Sequence, residues 1–495
     1  EALDTRIQNV NERGDTVPPV AGRDSDGDGL SDYEEILLGG DSTTRLRVGE
    51  RVDLNLGLYA QAGQTLKIVG RLPPGLTFNA TTNRLTGVLG GTAAFYDLQL
   101  QVISGGKIVK TVIVPLVVEA FPARLLGSYE ALLENTNDVP QGMVRVTVTQ
   151  SGLWSATLDV RGTARRSSKG SFELMAGSRQ VNLPMVFKGS KTAEEATVQM
   201  ILDIDSPQVS GTYSIVSSVG AVRGIRMATF GASPPTTRRM NMVLDAGEQD
   251  GVAYPAGLGW AKGTVTNKGA VNLAGELGDG QKMTLSLRLG VTGQSLAWVQ
   301  PYRNKVDSYF GGVLPVPNLG QPASMLPALE LGAVWFKAAD AKELSYEAGF
   351  AAPLSVTAIA TAFDPVKTSA DLETILGLTA QTLNVEIQGA GLSSITGVPI
   401  ILPTSFTLAS SFALTTKTPV SGPPAAWTGK INKADGGLTG TLTLPASANT
   451  LAGKAAATGI LLRGLTDNSV GGGILRVPVS GKKGQFRTAS LLLQR

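Results

Sequence analysis

The sequence predicts an all-β, multidomain chain: one β-sandwich followed by repeated antiparallel β modules of sandwich or barrel-like form. Three observations predict it. At 495 residues the chain exceeds one ordinary domain and suffices for several well-buried cores. Apolar residues alternate with polar ones over short runs, the period of a half-buried strand. Those runs are separated by turn residues, in a chain with 60 Gly and 26 Pro, and only 17% of its residues are charged, which argues for ordered structure over a charge-rich tail.

Taken in order, residues 1–23 read as an extended arm, because Pro18-Pro19 between Gly14 and Gly22 argues against a helix. Residues 24–45 hold an acidic loop and then "SDYEEILLGG", a helical turn or two stopped at Gly39-Gly40. Residues 46–120 form the sandwich, on the strand-rich runs "TLKIVG", "DLQLQV" and "IVKTVIVPLVV". Three further modules are placed at 121–235, 236–330 and 331–495, with joints suggested by Pro234-Pro235, "LPVPN" and "SGPP". The stretch 331–375 is the least regular, with short helices expected in "FKAADAKELSYEAG" or "TSADLETILG".

The modules share a hairpin theme. Val144, Val146 and Val148 lie on one face, the chain turns at Ser151-Gly152, and Trp154, Ala156, Leu158 and Val160 return on one face. The pattern recurs around Gly269 and Gly280, with Leu285 and Leu287, and again after Asp435-Gly436-Gly437, with Leu438 and Leu442. "YEALLE" and "MNMVLD" look like shared lead-ins, so internal duplication is expected.

The stretch "LPPGLTFNATTNRLTGVLGGTAAFYDLQLQV" at 72–102 resembles the immunoglobulin-like, cadherin-related modules of bacterial surface and secreted proteins. Leu72, Pro73, Gly75, Leu76, Phe78, Asn83, Leu85, Thr86 and Gly87 carry the resemblance, and Tyr96 falls in the next strand. It implies an immunoglobulin-like sandwich that spaces or adheres and has no catalytic residues of its own. The later repeats, with the ending "GGGILRVPVSGKKGQFRTASLLLQR", resemble glycine-rich β modules in secreted proteins of planctomycete and verrucomicrobial bacteria.

"DSDGDGLSDYEE" at 24–35 has the spacing of a calcium loop. Asp24, Asp26 and Asp28 stand at positions 1, 3 and 5, the Leu30 carbonyl at 7, Asp32 at 9 and Glu35 at 12, with Gly29 at the sharp turn. A solvated acidic turn is the rival reading, but it does not require both that glycine and the distal glutamate. The stretch also resembles thrombospondin type 3 repeats, which implies a structural Ca2+ clasp filled outside the cell.

With no His and no Cys, the chain has no disulfide, thiolate nucleophile, histidine base or ordinary zinc site. The expectation is a non-enzyme. Asp203 and Asp205 sit two apart beside Ser206-Pro207, which reads as a strand end meeting a turn; Asp371 and Glu373 have no partner base nearby. The formal charge of +3 is spread thinly, which argues against nucleic acid as a partner; "TARRSSKG" and "PTTRRM" read as solvated turns. No apolar run is long enough for a membrane helix.

The expected role is therefore an extracellular or cell-surface structural or adhesive protein that self-associates or contacts other envelope proteins. A carbohydrate or protein binder is the alternative. Trp298, Tyr302 and Tyr309, with Phe310, are its candidate ligand platform, and a polysaccharide its candidate partner. An outer-membrane β-barrel is a third, less favoured reading, since only nine Tyr are present and the chain ends "LLLQR".

Overall fold

The computed structural model describes residues 44–494 except 175–178, 190–193, 216–217, 231–234, 248, 303–306, 318–327, 377–381, 391–399, 407–411, 417–425, 445–452, 463–468 and 480–482. The acidic stretch 24–35, expected from sequence to hold calcium, lies outside the described residues. The chain divides into two compact units: the described residues up to Tyr129 with Arg145–Thr157 and Arg166–Val222, and Glu130–Val144 with Leu158–Arg165 and Arg223 onward. Its architecture is all-β and multidomain, as the alternation predicts.

The first unit opens with a seven-stranded sandwich: β1 (Thr44–Arg47), β2 (Arg51–Asn55), β3 (Thr65–Val69), β4 (Leu76–Asn79), β5 (Arg84–Val88), β6 (Ala94–Ser104) and β7 (Lys107–Glu119). Sheets ordered β1-β7-β6-β3 and β2-β5-β4 face each other, with β1 parallel to β7, an immunoglobulin-like arrangement. Leu76, Leu85, Leu98, Leu100, Val112 and Val114 fill the space between them. The glycine of the Leu-Pro-x-Gly-Leu stretch is sterically required. Gly75 has φ +84, and a Cβ there would lie 2.0 Å from the Val88 carbonyl oxygen.

Two eight-stranded sheets follow with the same connectivity. The first contains β8 (Gly127–Glu134), β9 (Pro140–Val148), β10 (Leu153–Val160), β11 (Arg166–Ser171), β12 (Gln180–Phe187), β13 (Ala196–Asp203), β14 (Gln208–Ile215) and β15 (Ser218–Arg226). The second contains β16 (Arg238–Asp245), β17 (Gly259–Val265), β18 (Ala270–Glu276), β19 (Lys282–Arg288), β20 (Gln294–Val299), β21 (Tyr309–Pro315), β22 (Leu329–Phe336) and β23 (Leu354–Phe363). Their orders are β11-β10-β9-β8-β15-β14-β13-β12 and β19-β18-β17-β16-β23-β22-β21-β20. In each, the first strand pairs with the eighth, and the ladder is left open between the fourth and fifth. The sheet beginning at Arg238 thus runs on to Phe363, past the boundary at 330 expected from sequence.

After the short helix α1 (Ser369–Leu376), eight strands close into a barrel: β24 (Thr382–Gly389), β25 (Ile400–Phe406), β26 (Ala413–Thr416), β27 (Ala426–Ile431), β28 (Gly437–Leu444), β29 (Gly453–Leu461), β30 (Ser469–Pro478) and β31 (Phe486–Gln494). The helix falls in the "TSADLETILG" stretch; "FKAADAKELSYEAG" instead continues β22 into turns. Leu383, Val385, Ile387, Leu442, Leu475 and Leu491 pack inside the barrel. On alternate positions outside stand Asn384, Glu386, Gln388, Thr439, Thr441 and Lys454. At these positions the outer side is polar, the reverse of the apolar outer band of a membrane barrel.

The expected core residues Val144, Val146, Val148, Leu285, Leu287 and Leu442 are all buried. Three expected hairpins turn at glycines of positive φ: Gly152 (+71), Gly269 (+77) and Gly436 (+71). The two lead-ins break alternation for a physical reason. In β16, Met240, Met242 and Leu244 face the sheet's own core, while Asn241 and Val243 face the closed barrel, where Asn241 Nδ2 donates to the Leu461 carbonyl at 2.9 Å and Val243 packs on Ile460. Both faces are dry, so both parities are apolar or paired.

Candidate functional site

The aromatic stretch expected as a sugar platform is buried. Trp298, Tyr302 and Tyr309 are 6%, 3% and 0% exposed, so they cannot offer a flat wet face to a ligand. Trp298 on β20 stacks on Tyr309 of β21 at 5.0 Å, and Gly311 opposite Trp298 leaves room for its ring. The outer side of that stack is covered by Leu132, Met143, Ile225 and Met227 of the same compact unit, and the Arg161 guanidinium lies 5.5 Å over the Tyr309 ring. Strand spacing put these rings in register but could not reveal what covers them.

Tyr302 joins a different group. Its hydroxyl donates to Asp279 Oδ2 at 2.7 Å, and Trp335 Nε1 donates to the Tyr302 oxygen at 3.1 Å. Lys337 Nζ donates to the same carboxylate oxygen at 3.1 Å and to the Ser345 carbonyl at 2.7 Å, with Glu343 at 3.9 Å. Asp279 Oδ1 accepts the Gln281 N–H at 2.9 Å. Burial, then the nearby Asp279 charge, pushes the Tyr302 hydroxyl well above its ordinary range, so it stays a donor. Lys337, Asp279 and Tyr302 thus satisfy one another's polar atoms in one buried network. A cleft of about 340 Å³ opens beside it, lined by Gly280, Gln281, Lys342, Glu343 and Phe486.

The remaining acidic candidates are turn and cap residues. Asp203 ends β13 and accepts the Asp205 N–H at 2.8 Å; Asp205 in turn pairs with Arg179. Asp371 accepts the N–H groups of Lys367 and Thr368 at the start of α1, not on a strand. Those hydrogen bonds, led by the one from Thr368, hold its carboxyl below the usual range. Among the described residues no group of three or more Asp and Glu side chains converges as a metal site.

What sequence reasoning missed is an exposed apolar face on the immunoglobulin-like module. Phe95 on β6 is 84% exposed, and Ile113, Ile108 and Val109 on β7 are 56%, 56% and 55% exposed. Antiparallel pairing sets Phe95 opposite Val117, Asp97 opposite Pro115 and Gln99 opposite Ile113, so Thr111, Ile113, Pro115 and Val117 form one row along β7; Val109 lies at the register shift between Ile108 and Lys110. Arg45 and Arg47 of β1 flank the row, and each forms an ion pair with Glu119. The signal was present in "IVKTVIVPLVV", which is apolar at both parities where a sandwich strand with one wet face needs only one.

The chain is thus a multidomain all-β protein with an exposed apolar sheet face on its immunoglobulin-like module. No family model matches the chain, and a search of curated proteins returned no match. Among solved structures, intact Ap-TbpB (N and C lobes) aligns with 90% of this chain and 99% of its own, at 10% identity and a TM-score of 0.20. Isotype 1 transferrin binding protein B from serogroup B Neisseria meningitidis aligns over 87% and 84%, at 10% identity and 0.19. A transferrin binding protein B mutant from Haemophilus parasuis Hp5 aligns over 88% and 95%, at 10% identity and 0.20. These likenesses are too distant to carry fold or function.

Proposed function

We propose that the chain is an extracellular or cell-surface β scaffold that works by adhesive binding, not by turnover, and that its immunoglobulin-like face docks a second copy of the protein. The observation that carries this reading is the Phe95–Ile113–Val117 face. Soluble β proteins seldom leave contiguous large apolar side chains on an outer sheet surface unless a partner covers them. A non-catalytic role is supported by the full pairing of Lys337, Asp279 and Tyr302 and by the turn roles of Asp203, Asp205 and Asp371. The calcium loop at 24–35 supports an extracellular setting, since a single site of this kind fills at the calcium levels found outside cells. A polysaccharide platform at Trp298, Tyr302 and Tyr309 loses its support with their burial.

The test is sedimentation velocity over a concentration series for the parent and for F95E/I113E. Both positions are exposed, so the variant should keep the parent's circular dichroism and melting curve. The expected result is a concentration-dependent larger species in the parent that the variant lacks. A parent that stays monomeric throughout, or a variant that associates equally, overturns the reading.

A further inference from the structure

Lys337, Asp279 and Glu343 bring an amine, a carboxyl group and a second carboxylate together, in a chain that has no Cys with which to cross-link itself. Lys337 follows β22, and Asp279 lies 58 residues earlier in the turn between β18 and β19. Those strands stand on opposite sides of the place where the second eight-stranded sheet is left open, between β19 and β20. Both side chains are buried. Their surroundings are aromatic: the Tyr302 ring lies 5.0 Å from Lys337 Nζ, and Trp335 on the Tyr302 hydroxyl is held edge-on by Phe350 at 4.8 Å.

Each polar contact in the group has a place in amide formation. Lys337 Nζ touches Asp279 Oδ2 at 3.1 Å, and its hydrogen bond to the Ser345 carbonyl at 2.7 Å holds the amine against the carboxyl group. The Gln281 N–H, 2.9 Å from Oδ1, stands where negative charge develops when nitrogen adds to the carboxyl carbon. The Tyr302 hydroxyl donates at 2.7 Å to Oδ2, the oxygen that has to leave. Glu343 Oε2 lies 3.9 Å from Nζ, at a side chain only partly buried, which suits a carrier of protons. The cleft of about 340 Å³ lined by Asp279 and Glu343 gives a departing water its way out.

We propose that Lys337 Nζ and Asp279 Cγ join in an intramolecular isopeptide bond that the folded chain forms once, on itself. The ion pair of the structure is the reactant. One proton passes from the ammonium to Oδ2 along their hydrogen bond, giving the neutral amine and acid that a dry site favours over two charges. The nitrogen lone pair adds to Cγ, and Oδ1 takes the negative charge beside the Gln281 N–H. Glu343 accepts a proton from the nitrogen and delivers it to the Oδ2 hydroxyl; the Cγ–Oδ2 bond breaks and water leaves. One ammonium and one carboxylate become one amide and one water, Glu343 ends as it began, and no oxidant or second substrate is consumed. The amide N–H that remains keeps the Ser345 carbonyl as its acceptor. The bond staples the open sheet and involves no turnover, so it is independent of the Phe95 face.

The experiment is intact-mass measurement of the full chain, followed by tryptic digestion and tandem mass spectrometry. The parent is expected to be lighter than its sequence by one water. Its digest should contain a branched peptide that joins the segments holding Asp279 and Lys337 and is uncut after Lys337. K337M and D279A should each show the full mass of their own sequences. E343Q should also keep its full mass, because a carboxamide cannot carry the proton. A parent of full sequence mass overturns the bond. So does a loss of water without the branched peptide, as ring closure of Asp279 onto the Gly280 nitrogen would give; that loss would persist in K337M. E343Q cross-linked as completely as the parent overturns the role given to Glu343. If K337M and D279A do not fold, the branched peptide of the parent decides alone.

Discussion

Lys337 Nζ and Asp279 Oδ2 lie 3.1 Å apart with both side chains 1% exposed, joining the end of β22 to the turn between β18 and β19. A buried pair of this kind is costly to break because the survivor is left charged without a partner. K337M and D279N are each expected to lower unfolding free energy by about 3–5 kcal/mol. The double variant K337M/D279N should lose less than the sum of the two. Urea titrations of the four proteins measure this coupling. Additive losses would show that the two residues are held by their other hydrogen bonds, to Tyr302 and Ser345, and not by each other.

Gly311 and Gly332 test the tight seat of Trp298 against its open counterpart. A Cβ at Gly311 would lie 2.6 Å from the Trp298 ring, whereas one at Gly332 meets nothing within 4 Å. G311A is expected to cost about 1–3 kcal/mol through overpacking. G332A should be neutral or stabilise by up to about 1 kcal/mol, because alanine restricts the unfolded chain. Melting curves of both variants, with Trp emission reporting on the displaced ring, distinguish the two. Equal effects at the two positions would refute the packing account.

The alternating strands were legible in the sequence, and the reason is their single wet face. Val144, Val146 and Val148, or Leu285 and Leu287, advertise a core at every second residue. The glycine turns at 152, 269 and 436 were equally plain, because hairpin reversal at positive φ is a local demand. Sheet closure was not legible. "LPVPN" looked like a joint, yet Pro315 ends β21 inside a sheet that closes only at Phe363, and pairing across about 120 residues leaves no local mark. The platform at Trp298 and Tyr309 failed for a related reason: alternation says which side a ring is on, not that another sheet covers that side. The Phe95 face is the opposite case: apolar residues at both parities of β7 mark a strand but do not say which parity is left exposed.

Tyr346 gives the fold an alkaline limit. Its hydroxyl lies 2.9 Å from Thr488 Oγ1 and accepts the Thr488 N–H at 3.0 Å. Burial outweighs those bonds and pushes the phenol up to about 12. The native state then holds a proton that the unfolded chain releases near pH 10, so stability is fully present below about pH 10 and falls as pH rises toward about 12. Y346F should be about 1 kcal/mol less stable at neutral pH through its lost hydrogen bonds. The gap between parent and Y346F in urea should narrow from about pH 9 to about pH 11, where only the parent carries this burden. A constant gap would mean that Tyr346 titrates alike in both states.

Calcium binding at 24–35 is the prediction that rests on sequence alone. Four aspartates and Glu35 within twelve residues repel one another without a cation, so uptake and ordering of the loop should be one event. One ion per chain is expected by calorimetry in the range of extracellular calcium, with Asp24, Asp26, Asp28, Asp32, Glu35 and the Leu30 carbonyl as ligands. D28A removes a central carboxylate and E35A the one bidentate ligand, so each should weaken binding at least about tenfold. Chelation should leave the main melting transition in place, because the closed barrel is filled by Leu383, Leu442, Leu491 and their neighbours, none of which comes from the loop. Its effect should appear as faster proteolysis and amide exchange near residues 20–40. Binding by D28A and E35A equal to the parent, or no uptake at millimolar calcium, would reduce the stretch to a solvated acidic turn.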